Sequence, residues 1–255
     1  MKKIFIRSPY FIEVDEVGQT SAKIEVFLWN KGTDEPVIPN YTFTKNIASP
    51  TQTKIAWNVA NYAKEFIKPI APVVVNFPTE ENVNTWCYMK VKRYSNNTLL
   101  DTETFICLNG YTQYLEGYNN FTEDAIVPLI NTDIKAYRHN NVNYINVFLE
   151  ANGYQWVTTQ GFNFTVNQDA VWKLPYEFNT YQLKIAGVTR PVFTFYSEEL
   201  CEPVYTPITC TFINRFGGWQ YLTFFKANIQ SIETTSKEFQ LLPSDINYDT
   251  LQGQK

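Results

Sequence analysis

The chain has 255 residues, about twice the usual domain size. Its 17 Tyr, 19 Phe and 6 Trp, together with abundant Thr and Asn, suit pleated, half-buried strands and turns; they exclude a helical bundle or a disordered chain. The net charge is −4 and the densest basic run is Lys90, Lys92 and Arg93. That leaves no stripe for gripping phosphates, so nucleic acid is not an expected partner.

The first residues, Met1 to Ile6, hold two lysines and a short apolar run that Arg7 interrupts. They lack the apolar core and cleavage site of a secretory leader, and no stretch reaches the roughly 18 apolar residues of a membrane span. A chain made in the cytoplasm, with no membrane partner, is the expectation. Ala22, Ile24, Val26 and Leu28 then alternate with Lys23 and Glu25, the period of a half-buried strand. Asn30 to Pro36 is a turn cluster. From Asn58, a candidate N-cap, the residues Val59, Tyr62, Ala63, Phe66 and Ile67 recur at helical spacing until Pro69, predicting a helix over 58–68. Thr85, Cys87, Met89 and Val91 form another apolar strand face. Trp29 and Trp86 fall opposite these apolar rows and are expected to meet something other than their own core. Ser95 to Thr98 turns the chain into a strand through Thr104, Ile106 and Leu108.

Leu115 to Asp124 is polar and lacks alternation, which places a boundary there. The expected organisation is a β-sandwich over 1–120, a second over 121–241 and a polar tail over 242–255. Each half has the size of an immunoglobulin-like sandwich. In the second half, strands are read around Ile145 to Leu149, Trp156, Tyr181 to Ile185, Val192 to Tyr196, Ile208 to Asn214 and Trp219 to Phe225, with Gly217-Gly218 as a hairpin signal. Ala227 to Thr234 is a weaker helical segment. Phe105 to Tyr111 resembles Phe148 to Tyr154, a faint repeat in which both Asn-Gly pairs are expected to supply positive φ. The fold class is all-β: two immunoglobulin-like or related sandwiches with one short helix.

Chemistry has few residues to stand on. His139 is the one histidine and lies in a polar turn, without the orienting partner a catalytic histidine needs. The carboxylate pairs Asp15/Glu16, Glu80/Glu81 and Glu198/Glu199 sit in polar contexts read as solvated charge. Cys87 and Cys107 lie on core faces as buried free thiols, while Cys201 and Cys210 flank a proline turn and either pair across it or stay free. No tight Cys/His pairs suggest zinc. No catalytic, cofactor or metal residues are therefore expected, and the chain is not read as an enzyme. An alternative is a carbohydrate-binding accessory domain, in which Trp29, Trp57, Trp86, Trp156, Trp172 and Trp219 offer flat faces to sugar rings.

The segment Tyr205 to Lys226, with its core Asn214-Arg215-Phe216-Gly217-Gly218-Trp219, resembles a stretch of virion proteins from tailed bacteriophages and prophages of Bacteroidetes-type hosts. Ser8-Pro9-Tyr10 and the helix Val59 to Ile67 resemble the same family. The resemblance implies a structural protein of the tail, neck or baseplate, located in the virion, contacting other virion proteins in a homo-oligomeric ring. Arg215, Phe216 and Trp219, with Trp29 and Trp86, are the candidate interface residues, because Arg and aromatics anchor protein contacts.

Overall fold

The computed structural model of the chain describes residues 1–47, 53–70, 73, 76–81, 85–112, 126–130, 136–138, 143–176, 179–200 and 205–226. More than half of them lie in strands and the one helix among them is short, so the protein is all-β. The expected boundary at 115–124, His139, Cys201, the segment 227–234 and the tail from 242 lie outside the described residues.

In the N-terminal half, β1 (Lys2–Phe5), β8 (Thr98–Leu108), β7 (Trp86–Ser95), β3 (Ser21–Trp29) and β4 (Tyr41–Asn46) form one sheet in that spatial order, with β1 parallel to β8. Facing it, β2 (Phe11–Asp15) pairs antiparallel with β5 (Lys54–Asn58). Between them lies a core that includes Ile12, Val14, Ile24, Val26, Trp57, Met89, Val91 and Phe105. The apolar row Ala22, Ile24, Val26 and Leu28 is buried as its period requires, while Lys23 and Glu25 are half-buried. Asn96 and Asn97 supply the positive φ of the β7–β8 turn, a conformation that Asn tolerates better than most residues.

The helix α1 (Ala60–Phe66) is shorter than the expected 58–68. Asn58 ends β5, and its side-chain oxygen accepts the N–H groups of both Tyr10 and Ala60, at 3.1 and 3.3 Å. It therefore ties the helix entrance to the start of β2, but the expected N-cap is corrected: Val59 holds that position, with no side-chain cap, and Asn58 sits one residue before it as the end of β5. Val59, Ala63 and Ile67 are buried on the core, with Tyr62 and Phe66 half-buried beside them.

In the C-terminal half, one sheet runs β6 (Thr79–Glu80), β14 (Ala170–Tyr176), β11 (Asn143–Leu149) and β9 (Ile126–Pro128). The other runs β10 (Ala136–Arg138), β16 (Phe193–Glu199), β15 (Thr180–Ile185), β12 (Gln155–Thr158) and β13 (Asn163–Thr165). Their shared core includes Val147, Leu149, Trp156, Trp172, Leu174, Tyr181 and Phe195. Every residue of β11 and β14 is buried, because one face of that sheet meets this core and the other is covered as well. The strand β6 comes from the N-terminal half of the sequence, so residues 79–80 extend a sheet of the second sandwich. Finally, β17 (Ile208–Ile213) and β18 (Trp219–Phe224) form a two-stranded ribbon that leans on β10 and β11 through β18.

No helix among the described residues is long and apolar enough to cross a membrane.

Candidate interaction site

Two surfaces stand out: a buried seam between the halves and the exposed ribbon. The seam is a third apolar cluster, with Phe5, Trp86, Ile106 and Leu108 from the first half and Val127, Leu129, Phe148 and Val171 from the second. It exists because β7 and β8 are apolar on both faces at the end where Trp86 pairs with Leu108 and Tyr88 with Ile106. Cys87, Met89, Phe105 and Cys107 turn to their own core, whereas Trp86, Ile106 and Leu108 turn outward to the other half. Trp86 meets Phe148 edge to face at 5.5 Å and Tyr88 at 4.8 Å, and Tyr88 stacks on Trp29 at 5.3 Å.

Polar contacts frame these rings. The Lys3 ammonium is fully buried and donates to Glu150 Oε1 at 2.7 Å. The Tyr88 hydroxyl donates to Asp169 Oδ2 at 3.2 Å, and Asp169 Oδ1 in turn accepts the Ala151 N–H at 2.8 Å. Glu81 is buried against β14: its N–H donates to the Val171 carbonyl at 2.7 Å, and its carboxylate lies 3.5 Å from Lys173 and accepts from Asn146 Nδ2 at 3.2 Å. The reading of Glu80/Glu81 as solvated charge is thus corrected for Glu81, which β6 carries into the seam.

The Asn214 to Trp219 turn closes the seam from the ribbon side. Asn214 is buried; its Nδ2 donates to the Leu129 carbonyl at 2.8 Å, and its Oδ1 accepts the N–H groups of Phe216 and Gly218. Phe216 meets Phe5 edge to face at 6.4 Å, the Arg215 carbonyl accepts the Tyr111 N–H at 2.6 Å, and the Trp219 N–H donates to Asn146 Oδ1 at 2.8 Å. The backbones are in direct contact. A Cβ on Gly218 would lie 2.4 Å from the Leu129 carbonyl oxygen, and one on Gly110 would lie 2.7 Å from that of Arg215.

This arrangement corrects two sequence expectations. Gly110 does not adopt the positive φ expected of its Asn-Gly pair, whereas Gly153 does, at 68°; Gly110 is small because the Arg215–Phe216 backbone lies against it. The two stretches of the faint repeat also face differently, since Phe105 fills its own core and Phe148 turns into the seam. The second correction concerns the interface candidates. Trp86 is buried, Phe216 packs on the seam cluster, and Arg215, Trp219 and Trp29 are half-buried on or beside it. Trp86 and Phe216 pack in a contact between the two halves of the same chain.

None of the six tryptophans is exposed: Trp57, Trp86, Trp156 and Trp172 are buried, Trp29 and Trp219 half-buried. Cys87 and Cys107 are buried free thiols, directly opposite each other on β7 and β8. Sequence reasoning missed Lys3, Glu81, Tyr88, Asn146, Glu150, Asp169 and Asn214. Only Asn214 carried a local signal, an Asn opening a turn that ends in Gly-Gly.

Burial, and then the Asp169 carboxylate, pushes the Tyr88 phenol well above its ordinary range. Burial likewise raises Tyr144 and Tyr181, and pushes Tyr176 up to about 12. An unfolded tyrosine ionises near pH 10, so these groups stay protonated in the fold where the unfolded chain loses protons. Their contribution is complete below about pH 10 and is lost as pH rises through the folded values. Urea midpoints measured from pH 8 to 12 are expected to stay level to about pH 10 and then fall, less steeply in Tyr88→Phe.

The ribbon shows the opposite character. Along its outer face, Ile208, Phe212, Leu222 and Phe224 are 39–48% exposed, with the free thiol of Cys210 among them. On the other face, Thr223 of β18 is buried and Tyr221 half-buried, meeting Tyr144 edge to face at 5.3 Å, while Thr209 and Thr211 of β17 stay exposed.

No protein-family model and no curated protein matches the sequence. Among solved structures, the chain is similar to the crystal structure of the periplasmic chaperone SfaE. The match covers 74% of this chain and 89% of that one, at 8% identity and a TM-score of 0.21. So slight a superposition carries no argument about function.

Proposed function

We propose that the protein is non-enzymatic and acts as a structural adaptor, holding other proteins through surface contacts. The observation that carries this reading is the exposed apolar face of the β17–β18 ribbon, since contiguous apolar surface on a folded chain marks an interaction site. The buried seam supports it by fixing the two sandwiches to each other, which gives an adaptor a defined shape. The particle is proposed from the sequence resemblance alone: a bacteriophage virion, assembled in the host cytoplasm, with the chain in tail, neck or baseplate beside other virion proteins in a symmetric ring. The acidic balance suits protein contacts and no grip on DNA.

Mass spectrometry and imaging of particles purified from the encoding phage or induced prophage test this. The expected result is the chain in stoichiometric copies at one symmetric position. Its absence from intact particles would overturn the virion reading. Selective binding on a glycan array, lost on replacing half-buried Trp29, would install the carbohydrate-binding reading in its place.

A further inference from the structure

The β17–β18 ribbon has an edge that no strand covers among the described residues. Its hydrogen-bond phase is set at the turn, where the Asn214 N–H donates to the Gly218 carbonyl and the Gly217 N–H to that of Asn214. Alternation from that closing pair points the N–H and C=O groups of Ile208, Cys210 and Phe212 at β18, and those of Thr209, Thr211 and Ile213 away from it. Since β18 is the strand that touches β10 and β11, the free edge of β17 lies on the outside. Exposed edges are normally blunted by charge or by proline. From Ile208 to Ile213 this edge carries neither.

The order of residues along β17 supplies the partner. Ile208-Thr209-Cys210-Thr211-Phe212 reads alike in both directions about Cys210: Thr flanks it on each side and a large apolar residue follows at each end. We infer that a second copy of this chain pairs with β17 along its free edge, antiparallel, about a two-fold axis at Cys210. In that register each Thr209 lies opposite Thr211 of the second copy, and the two exchange both backbone hydrogen bonds. Ile208 lies opposite Phe212, apolar against apolar. The Ile213 N–H meets the Pro207 carbonyl, and the N–H that proline lacks ends the ladder there. The two Cys210 residues form the central non-hydrogen-bonded pair, with Cα atoms about 4.5 Å apart, inside the range a disulfide spans. A two-stranded ribbon, marginal alone, becomes a four-stranded sheet. This deepens the assembly reading and rests on it for its purpose, but it concerns the isolated chain, so its failure and the failure of the virion reading are separate results.

Sedimentation equilibrium of the purified full chain under reducing conditions is the test. The expected mass is that of two chains for the wild type and for Cys210→Ser, and of one chain for Thr211→Pro and Cys210→Lys. Thr211→Pro removes an outward N–H and none of the bonds to β18, whereas Cys210→Lys sets two ammonium groups directly opposite each other. Circular dichroism identifies any variant that fails to fold, and the other variant then decides. Added diamide takes the two thiol hydrogens and their electrons onto its N=N bond, and is expected to leave a Cys210–Cys210 disulfide between copies, read by peptide mass spectrometry. A wild-type mass of one chain, or a dimer that both folded variants preserve, would overturn the pairing.

Discussion

Trp86→Ala is expected to lower unfolding stability by about 3–5 kcal/mol, the usual loss when a fully buried large aromatic is truncated. Trp86 is 1% exposed and fits edge to face against both Phe148 and Tyr88. Its removal opens a cavity on the seam, not inside either sandwich core, so the damage falls on the contact between halves. Tyr88 loses the ring that positions it towards Asp169, and Trp29 loses the inner end of its aromatic row. Urea unfolding read by tyrosine and tryptophan fluorescence measures the effect. A loss below about 1 kcal/mol would mean that the seam contributes little to holding the halves together.

Glu150→Gln is expected to cost about 3 kcal/mol, the lower end of the range for breaking a buried ion pair. The Lys3 side chain is fully buried while that of Glu150 is 21% exposed, so water reaches the carboxylate and softens the loss. The amide keeps the shape and removes the charge, leaving an ammonium buried beneath Phe148 with the Met1 carbonyl, 3.5 Å away, as a further acceptor among the described residues. Because the Lys3 end of the pair is fully buried, the difference between wild type and variant is expected to change less between low and high salt than that of a surface pair. Replacing both residues, Lys3→Met with Glu150→Leu, is expected to recover most of the loss, since no unpaired charge then remains buried. Urea midpoints of the three variants at two salt concentrations check this.

The fold was legible wherever one strand face met one core. Ala22 to Leu28 and Cys87 to Val91 alternate because their outer faces meet solvent or a second, chemically different surface. The turns at Asn96-Asn97 and Gly217-Gly218 were legible because their backbones need residues that tolerate positive φ or close approach. Three features were not. β6 is two residues long and belongs to a sheet built almost entirely from the other half, which no local period can reveal. Lys3 and Glu81 look like solvated charges in sequence, and long-range partners, Glu150 for Lys3 and Lys173 with Asn146 for Glu81, make their burial tolerable. The candidate interface residues were chosen by type, since aromatics opposite an apolar row must cover something. Whether that surface belongs to another protein or to the same chain depends on how two distant segments dock, and sequence period carries no information on that.

The account holds that the seam makes both sandwiches one cooperative body. Differential scanning calorimetry of the purified chain tests it most directly. The predicted result is a single transition whose van't Hoff enthalpy is at least the calorimetric enthalpy per mole of chain, so that the cooperative unit is no smaller than the whole chain, converted by Trp86→Ala into a broader or divided one. Two separate transitions in the wild type, with a lower transition that Trp86→Ala leaves in place, would contradict it.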